Sequence, residues 1–493
     1  MKTYLIVFAL LLGLNVYGQQ SGSKQSKPLT GKEPTLLGSV NGTYYFIQYS
    51  DDNALHIINL DDNLNPVENK FPITAPTGKP QASKCMLLGD NIYYFKLMNN
   101  KGVLTLYSWK LPTTEMKISA PNELFSVEAE AYVDIMMNKN DANNLLNITY
   151  TPYNKNMTAY VATYQTTILF NSELEQQWTK KKEFDKTREI LFDEGGGFSY
   201  IFVSKDFEED GVWYKDYRIQ EGDAKLKLNP DKYYVEAKSS TGENVLKIEL
   251  PFVQDKVFTT MEINIKGDTL ICAGFYGVDN NIQQSGIYKI EYDKMSGKML
   301  SENYKPFSST YLQTLKEYAV AMNDNGLKNF KNEKIYFCSN GDVIYTAQES
   351  FGGINGNIII LYMNGEGKVQ YNKVIRLKQA SPVGADYERL KLYAQNNLGY
   401  NGIVNGNTLT LYLNDNIENA DHDAEDKPEQ LWKKDAGAFA FEVSPNGNIK
   451  KERIGENDYF YKLGSAIANG DEVLLELIKG ETKTEAYKLV LIK

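Results

Sequence analysis

A two-strand phrase recurs along this chain and constrains its fold more than any other feature. Each copy has a short apolar or aromatic run, a turn rich in Gly, Asn or Asp, and then a more polar run. This pattern is typical of a β-hairpin with one buried and one solvated strand. The clearest copies are LHIINLDDNLNPVENKF from Leu55, IYKIEYDKMSGKMLSENYKPF from Ile287, IIILYMNGEGKVQYNKVI from Ile358 and FAFEVSPNGNIKKERI from Phe439.

A second phrase, a tight turn followed by an apolar run, precedes most of these copies. Asn-Gly and Gly-Asp tolerate the positive φ that two-residue hairpin turns require. Copies from Gly267 onward follow at 74, 65 and 64 residues, a spacing that suits one supersecondary unit per repeat. The copies are NGTYYFI at Asn41, GDNIYYF at Gly89, KGDTLIC at Lys266, NGDVIYT at Asn340, NGNTLTL at Asn405 and NGDEVLL at Asn469.

Two hairpins per unit give four antiparallel strands, which is the composition of a β-propeller blade. With degenerate copies at Asn143 and Gly195, eight units fit the chain, and the irregular third and fourth units leave seven open. We therefore predict an all-β fold, a β-propeller of seven to eight four-stranded antiparallel blades in a single domain over residues 35–493. A two-domain β-sandwich is the alternative. The units span 35–75, 84–127, 133–184, 187–252, 257–307, 331–381, 387–455 and 459–493.

Two insertions interrupt the repeat, and ring closure needs a further strand. Apolar residues at helical spacing predict one short helix over about 308–326, packed against a blade. An acidic insertion, ENADHDAEDKPEQLWKKDAG from Glu418, lengthens the seventh unit. Its charge and Lys427-Pro428 predict an exposed, mobile loop without packing or regular structure. Because the last unit is short, we expect the Thr35-Leu36-Leu37 run to complete the C-terminal blade.

The N-terminal residues have the pattern of an export signal. Lys2 precedes an apolar run of about 11 residues, short of the about 20 that span a bilayer. Residues 1–18 are thus predicted as a signal peptide and the polar residues 19–34 as a flexible leader. No other run predicts a membrane span. The three cysteines, Cys85, Cys272 and Cys338, exclude a disulfide scaffold and allow at most one intramolecular bridge. Cys272 and Cys338 lie in apolar strand patterns and are expected to be buried thiols.

The run from Val257 to Asn419 resembles exported β-propeller-like proteins of Bacteroidota, of the flavobacterial type. The resemblance lies in GDTLICAGFYG, SGIYKIEYDKMSGKMLSENYKPF, NIIILYMNGEGKVQYNKVIRLKQ and LTLYLNDNIEN. It covers about a third of the chain and implies an exported propeller, but it carries no catalytic motif. The final KTEAYKLVLIK is similar to the tail of type IX secretion sorting domains, although the sandwich domain that such a tail ends is missing, and it is expected to be the last blade strand.

Few residues offer catalytic chemistry. The chain has two histidines, His56 and His422, and no G-x-S-x-G, which argues against a Ser-His-Asp hydrolase. Asp421, His422 and Asp423 are weak metal candidates, because hard cations need ligands in fixed geometry. The sequence does not exclude glycoside hydrolase activity, since that chemistry needs only two carboxylates across a cavity. No cofactor is expected. A net charge of −10 without a basic stripe disfavours nucleic acid.

We therefore expect a non-catalytic periplasmic binding or scaffold protein that docks onto an outer-membrane assembly, with the type IX secretion translocon as the candidate assembly. Secretion or cell-surface display is the alternative location, and a carbohydrate-active enzyme or glycan-binding propeller is the alternative function. Partner contact is predicted on loops, since rigid blades present variable loops on their faces. Three loops stand out, from Tyr276, Ser350 and Glu418, with Phe351 and Trp432 as the predicted contact aromatics.

Overall fold

Each repeat of the sequence folds into one antiparallel β-sheet. Eight sheets have a path of four strands, and a separate ribbon has two, within the part of the chain that the computed structural model describes. We number these eight sheets blades 1 to 8 in chain order. The described residues are 24–25, 29–30, 34–48, 54–60, 64–74, 76–129, 132–140, 144–156, 159–162, 164–182, 187–192, 198–204, 208–209, 212–213, 233–239, 244–249, 256–278, 284–318, 330–351, 354–380, 398–429, 431, 436–455, 459–463, 465–469, 472–479 and 486–492.

The elements of the first half begin with two short strands, β1 (Lys24–Gln25) and β2 (Leu29–Thr30). Blade 1 has β3 (Pro34–Val40), β4 (Thr43–Gln48), β5 (Ala54–Leu60) and β6 (Pro66–Pro72). Blade 2 has β7 (Lys79–Leu88), β8 (Asn91–Asn100), β9 (Val103–Pro112) and β10 (Asn122–Glu128). Blade 3 has β11 (Tyr132–Asn140), β12 (Leu145–Asn156), β13 (Ala159–Ala162), β14 (Gln165–Phe170) and β15 (Gln176–Lys182). Blade 4 has β16 (Thr187–Phe192), β17 (Phe198–Ser204), β20 (Tyr233–Ser239) and β21 (Asn244–Glu249), with the ribbon β18 (Glu208–Glu209) and β19 (Val212–Trp213).

The second half continues the order. Blade 5 has β22 (Lys256–Phe258), β23 (Glu262–Lys266), β24 (Thr269–Val278), β25 (Gly286–Asp293) and β26 (Met299–Pro306), followed by α1 (Ser309–Tyr318). Blade 6 has β27 (Phe330–Phe337), β28 (Val343–Phe351), β29 (Ile354–Met363), β30 (Val369–Ile375) and β31 (Gln379–Ala380). Blade 7 has β32 (Tyr400–Asn405), β33 (Thr408–Asn416), a 3₁₀ turn (Ile417–Asn419), β34 (Ala436–Val443) and β35 (Ile449–Ile454). Blade 8 has β36 (Tyr459–Tyr461), β37 (Ile467–Asn469), β38 (Glu472–Lys479) and β39 (Ala486–Ile492).

The repeated phrase occupies the same place in each blade. Runs 287–292, 358–362 and 439–443 lie in β25, β29 and β34, which are the third strands of blades 5, 6 and 7. The polar runs after them form the outer strands, of which β30 alternates between half-buried and exposed residues over its first half. At the preceding turns Gly42, Gly89, Gly341 and Gly406 all have positive φ. The predicted all-β propeller with one short helical insertion is therefore confirmed.

Apolar side chains join neighbouring blades around the ring. Separate clusters link blades 1 and 2, 2 and 3, 4 and 5, 5 and 6, 6 and 7, and 7 and 8. A further cluster packs Phe46 of blade 1 against Leu474 of blade 8, which closes the ring. Because an isolated blade would expose these apolar side chains, stacking against its neighbours is what removes them from water.

The strand that completes blade 8 is different from the predicted one. The Thr35-Leu36-Leu37 run belongs to β3 and pairs with β4 of its own blade, so that prediction was wrong. Instead β1 and β2, within the predicted leader, pair with β39. The outermost strand of a blade is held by main-chain hydrogen bonds at a solvated edge, so polar residues serve there. The apolar β3 instead takes the inner position of blade 1, where most of its residues are buried or half-buried.

The predicted helix insertion is present and packs as expected. In α1 the Ser308 Oγ accepts a hydrogen bond from the Tyr311 N–H at 3.2 Å, which caps the first turn. Tyr311 and Leu315 are buried in the cluster between blades 5 and 6. The predicted helix end near Asn325 lies outside the described residues. No helix among the described residues is long and apolar enough to cross a bilayer.

All three cysteines are buried free thiols, which confirms the prediction made for Cys272 and Cys338. Burial raises the pKa of the Cys338 thiol to about 12. Burial likewise raises the pKa of the Cys85 thiol well above its ordinary value. Because the thiolate is the reactive form, these cysteines are inert in the folded protein.

Candidate interaction face

The three loops singled out in the sequence emerge from the same face of the propeller. Each loop joins the second to the third strand of its blade, between β24 and β25, β28 and β29, and β33 and β34. These blades are consecutive, and equivalent strands run in the same direction in neighbouring blades of a propeller. The described strand ends that bear these loops therefore lie side by side. We call this surface, formed at the strand ends Val278, Gly286, Asn355, Asn416 and Ala436, the BC face.

A buried ion pair anchors the insertion of blade 7. Lys451 Nζ lies 3.0 Å from Asp415 Oδ2, and the two side chains are 9% and 1% exposed. The same ammonium donates to the Asn419 carbonyl at 2.6 Å and lies over the rings of Phe439 and Phe441. The other oxygen of Asp415 accepts from the Asn419 side chain at 2.9 Å. Every charge here has hydrogen-bonded partners, the condition under which a buried pair holds a defined geometry.

The anchored insertion continues as a series of hydrogen-bonded turns. The Asn416 side chain caps the 3₁₀ turn by accepting from the Glu418 N–H at 2.9 Å. Further along, the Asp426 carboxylate accepts from the Asp423 N–H at 2.9 Å. Asn419 closes the base of the insertion, since its side chain donates to the Glu429 carbonyl and accepts from the Glu429 N–H.

The insertion also packs on the outer strand of blade 6. The Arg376 N–H donates to the Ala424 carbonyl at 2.8 Å, and Lys373 lies 3.0 Å from Glu425. Ala424 contacts the apolar cluster of blades 6 and 7. The prediction that the acidic insertion is an unpacked loop was therefore wrong. The charge run was expected to leave its backbone groups hydrogen-bonded to water, but Asp415 and Asn419 provide partners within the protein. The side chains of Asp421, Asp423 and Asp426 are exposed, as predicted.

The two insertions of the chain meet at Arg376. Its guanidinium stacks over the ring of Tyr318, the last residue of α1, at 4.5 Å from the centroid. It also donates to the Glu425 carbonyl at 3.3 Å. Beside it, the Asn357 side chain donates to the Tyr318 carbonyl at 2.7 Å and to the buried Glu349 carboxylate at 3.0 Å. The BC face of blade 6 is thus supported on one side by the helix and on the other by the acidic insertion.

The predicted site residues are not brought together as a chemical centre. Phe351 is the last residue of β28, with its side chain outside the described part, and Trp432 lies outside the described residues altogether. Asp421 and Asp423 are exposed and His422 is half-buried. Across the described residues, no group of three or more His, Cys, Asp or Glu side chains is placed to hold a metal ion.

Sequence reasoning missed a set of buried amides that hold neighbouring blades together at this face. Gln284 donates to the Phe330 carbonyl, from blade 5 to blade 6, at 3.0 Å. Gln379 of blade 6 accepts from the Gly399 N–H at 3.0 Å, just before β32 of blade 7. We call Gln284, Gln379 and Asn414 the amide clamps.

Asn414 makes the most complete of these contacts. Its Nδ2 donates to the Tyr461 carbonyl at 2.8 Å, and its Oδ1 accepts from the Tyr461 N–H at 2.7 Å. Gln348 sits at the equivalent place in blade 6, since it pairs with Ile358 as Asn414 pairs with Ala438. A polar residue at this fixed offset near the end of the second strand was a signal that could have revealed Asn414, whereas Gln284 and Gln379 lie outside the second strands.

Comparisons with known proteins extend to the fold alone. No family model and no curated protein matches the chain. Among solved structures, the Dos1 propeller is similar with a TM-score of 0.42 and 8% identity, over 95% of each chain. The C-terminal WD40 domain of Sif2 has a TM-score of 0.44 and 9% identity, over 96% of this chain and 98% of that one. The polysaccharide lyase Uly1 has a TM-score of 0.43 and 7% identity, over 97% of this chain and all of that one.

Proposed function

We propose that this protein is an exported, non-catalytic scaffold that docks a partner protein on its BC face. Its place is the periplasm, at an outer-membrane assembly, and the type IX secretion translocon is the specific candidate. The compartment follows from the signal pattern of residues 1–18 and from the resemblance to exported Bacteroidota proteins. The docking role follows from the way the BC face is built.

The observation that carries this proposal is the anchored insertion of blade 7. Asp415, Asn419 and Lys451 hold it by contacts of 2.6 to 3.0 Å, while the acidic side chains on its turns point to water. A loop that is ordered before binding loses less conformational entropy when a partner docks. A buried ion pair thus fixes the position of an exposed acidic surface. This arrangement is expected of a recognition loop rather than of a plain connector between strands.

The charge of the surface suggests the chemistry of the partner. Asp421, Asp423 and Asp426 are exposed on one insertion, and such a patch steers a basic surface toward it. Apolar contacts then supply affinity, and Phe351 and Trp432 are the proposed aromatic anchors. Truncating an aromatic hot spot typically costs about 2 kcal/mol or more of binding free energy.

The test is affinity capture of the tagged protein from envelope extracts in its native host. The BC variant reverses three exposed acids, Asp421→Lys, Asp423→Lys and Asp426→Lys. The matched control reverses exposed acids that lie away from the BC face, Asp268→Lys, Glu366→Lys and Glu442→Lys. We expect the wild type and the control to retain one stoichiometric outer-membrane protein, identified by mass spectrometry, and the BC variant to lose it.

Two results would count against the proposal. Equal capture by both variants would place the contact surface elsewhere, and the absence of any stoichiometric envelope partner would remove the docking role. Export is checked separately by cell fractionation and by the N-terminal sequence of the mature chain. We expect a periplasmic protein that begins at Gln19, and a cytoplasmic protein with an intact N-terminus would contradict export.

A further inference from the structure

Three side chains at the base of the blade 7 insertion are linked by a continuous series of polar contacts. Asp415 lies at the centre, with one carboxylate oxygen 3.0 Å from Lys451 Nζ and the other 2.9 Å from Asn419 Nδ2. Lys451 Nζ also lies 2.6 Å from the backbone carbonyl oxygen of Asn419. One carboxylate therefore bridges an amine and a carboxamide, and the amine already contacts the residue that carries the carboxamide.

All three side chains are shielded from water. Asp415 and Asn419 are each 1% exposed, and the Lys451 side chain is 9% exposed. The rings of Phe439 and Phe441 lie with their centroids 4.8 and 5.2 Å from Lys451 Nζ and form an apolar wall beside it. Separated charges are costly in such surroundings. Transfer of one proton from the ammonium to the carboxylate would leave two neutral groups, and a neutral amine is a nucleophile.

The carboxamide of Asn419 is held in place by the backbone of Glu429. Its Oδ1 accepts a hydrogen bond from the Glu429 N–H at 2.7 Å, and its Nδ2 donates to the Glu429 carbonyl at 3.0 Å. If an amine attacked the side-chain carbonyl carbon, negative charge would develop on Oδ1, next to this N–H donor. Asp415, on the Nδ2 side, is placed to protonate the leaving nitrogen. A nucleophile, an acid and an oxyanion donor thus surround one carboxamide.

We propose that Lys451 and Asn419 become joined by an intramolecular isopeptide bond, with Asp415 as the catalytic acid and base. The ion pair of Lys451 and Asp415 is the starting state. Asp415 takes a proton from the ammonium, and the free amine attacks the carbonyl carbon of the Asn419 side chain. The tetrahedral intermediate carries its negative charge on Oδ1, beside the Glu429 N–H.

Collapse of this intermediate forms the amide and releases ammonia. Asp415 returns the proton to Nδ2, the bond between this nitrogen and the carbonyl carbon breaks, and ammonia leaves. The lysine nitrogen then gives its remaining extra proton to Asp415, which ends as a neutral acid. A buried ion pair and a carboxamide are thereby converted into a neutral acid, an amide and one ammonia. The atoms and charges balance without an oxidant or a further reactant.

The bond would fix the base of the insertion to blade 7 permanently. It joins Asn419, at the end of the 3₁₀ turn, to Lys451 on the outer strand β35. The three cysteines of the chain are all free thiols, so no disulfide braces this region. The inference concerns how the insertion is held, and it does not depend on the proposed docking of a partner.

Peptide mapping of the mature protein by mass spectrometry tests for the bond. The protein is denatured before digestion, so that only a covalent link survives. We expect a branched peptide that joins the segments around Asn419 and Lys451, with the summed mass of the two linear peptides less one ammonia. The internal control is the ion pair of Lys373 and Glu425, which has the same 3.0 Å length but is exposed, and should remain unlinked.

Two variants separate the chemistry from the fold. Lys451→Arg keeps a cation beside Asp415 but has no amine nucleophile, and Asp415→Asn keeps the side-chain shape but cannot carry the proton. Both should yield only linear peptides while retaining the circular dichroism spectrum of the wild type. Linear peptides alone from the folded wild type would overturn the proposal, and so would full bond formation in Asp415→Asn. A loss of one water instead of one ammonia would show that Lys451 had joined Asp415, which would refute the link to Asn419.

Discussion

Replacing Asn414 by alanine should uncouple blade 8 from blade 7. The side chain is 1% exposed, and both of its polar atoms bond to the backbone of Tyr461, at 2.7 and 2.8 Å. Alanine removes both contacts and leaves a buried N–H and a buried carbonyl without those bonds. The two groups are on the inner strand β36, where water has little access to replace the amide.

The expected magnitude follows from those two groups. A net hydrogen bond contributes about 1 kcal/mol, and each buried group left unsatisfied costs about 1–3 kcal/mol. Partial relaxation and water entry reduce the sum, so we expect the free energy of unfolding to fall by about 2–4 kcal/mol. Asn414→Asp should lower the free energy of unfolding at least as much as Asn414→Ala. It keeps the acceptor for the Tyr461 N–H but places a carboxylate oxygen against the Tyr461 carbonyl.

Urea unfolding followed by tryptophan fluorescence and by circular dichroism measures the loss. Asn69→Ala is the matched control, because the Asn69 side chain bonds to Asn59 at 2.9 Å on a partly exposed outer strand. That substitution should change stability by less than about 0.5 kcal/mol. If Asn414→Ala lowers the free energy of unfolding no more than the control does, the amide clamps do not hold the blades together. Our account of how the BC face is supported would then be wrong.

Five further outcomes follow from the structure. Lys451→Met leaves a buried carboxylate without its cation, which should cost about 3–5 kcal/mol and expose the blade 7 insertion to limited proteolysis. Gly274→Ala should prevent normal folding, because a Cβ there would lie 1.8 Å from the Thr260 carbonyl oxygen, whereas Gly365→Ala meets only a contact at 3.8 Å and should be tolerated. Iodoacetamide at pH 8 should label none of the three thiols until the protein unfolds. Because burial raises the Cys338 pKa to about 12, its contribution to stability is present at lower pH and is lost as the pH rises above the ordinary thiol value of 9.0. Melting temperatures with calcium and with a chelator should coincide, and a shift of several degrees would indicate a metal site at the acidic insertion.

The sequence predicts the blades well because each blade is a local structure. The hairpin turns and the alternation of apolar and polar residues that define a blade lie within one repeat unit of about 35 to 70 residues, so each unit specifies its own sheet. The ring-closing strand was predicted wrongly because its pairing is not local. Its partner, β39, lies at the other end of the chain, and Lys24–Gln25 has no apolar pattern that would mark it as a strand.

The support of the BC face was also beyond sequence reasoning. The acidic insertion has the composition of a solvated loop, and its order depends on Lys451, which lies on a different strand. A contact between distant residues, rather than local preference, decides this feature.

The pairing of β1 and β2 with β39 has a consequence for the order in which the protein assembles. Lys24 pairs with Leu491, so the two halves of this sheet are separated by nearly the whole chain. Closing a flexible loop of that length costs about 5 kcal/mol, growing as (3/2)RT ln n. Blades that have already stacked bring the two ends close and remove most of that cost. Closure of blade 8 is therefore expected to follow the stacking of the other blades. Until β39 is available, the strands β1 and β2 would remain without their partner.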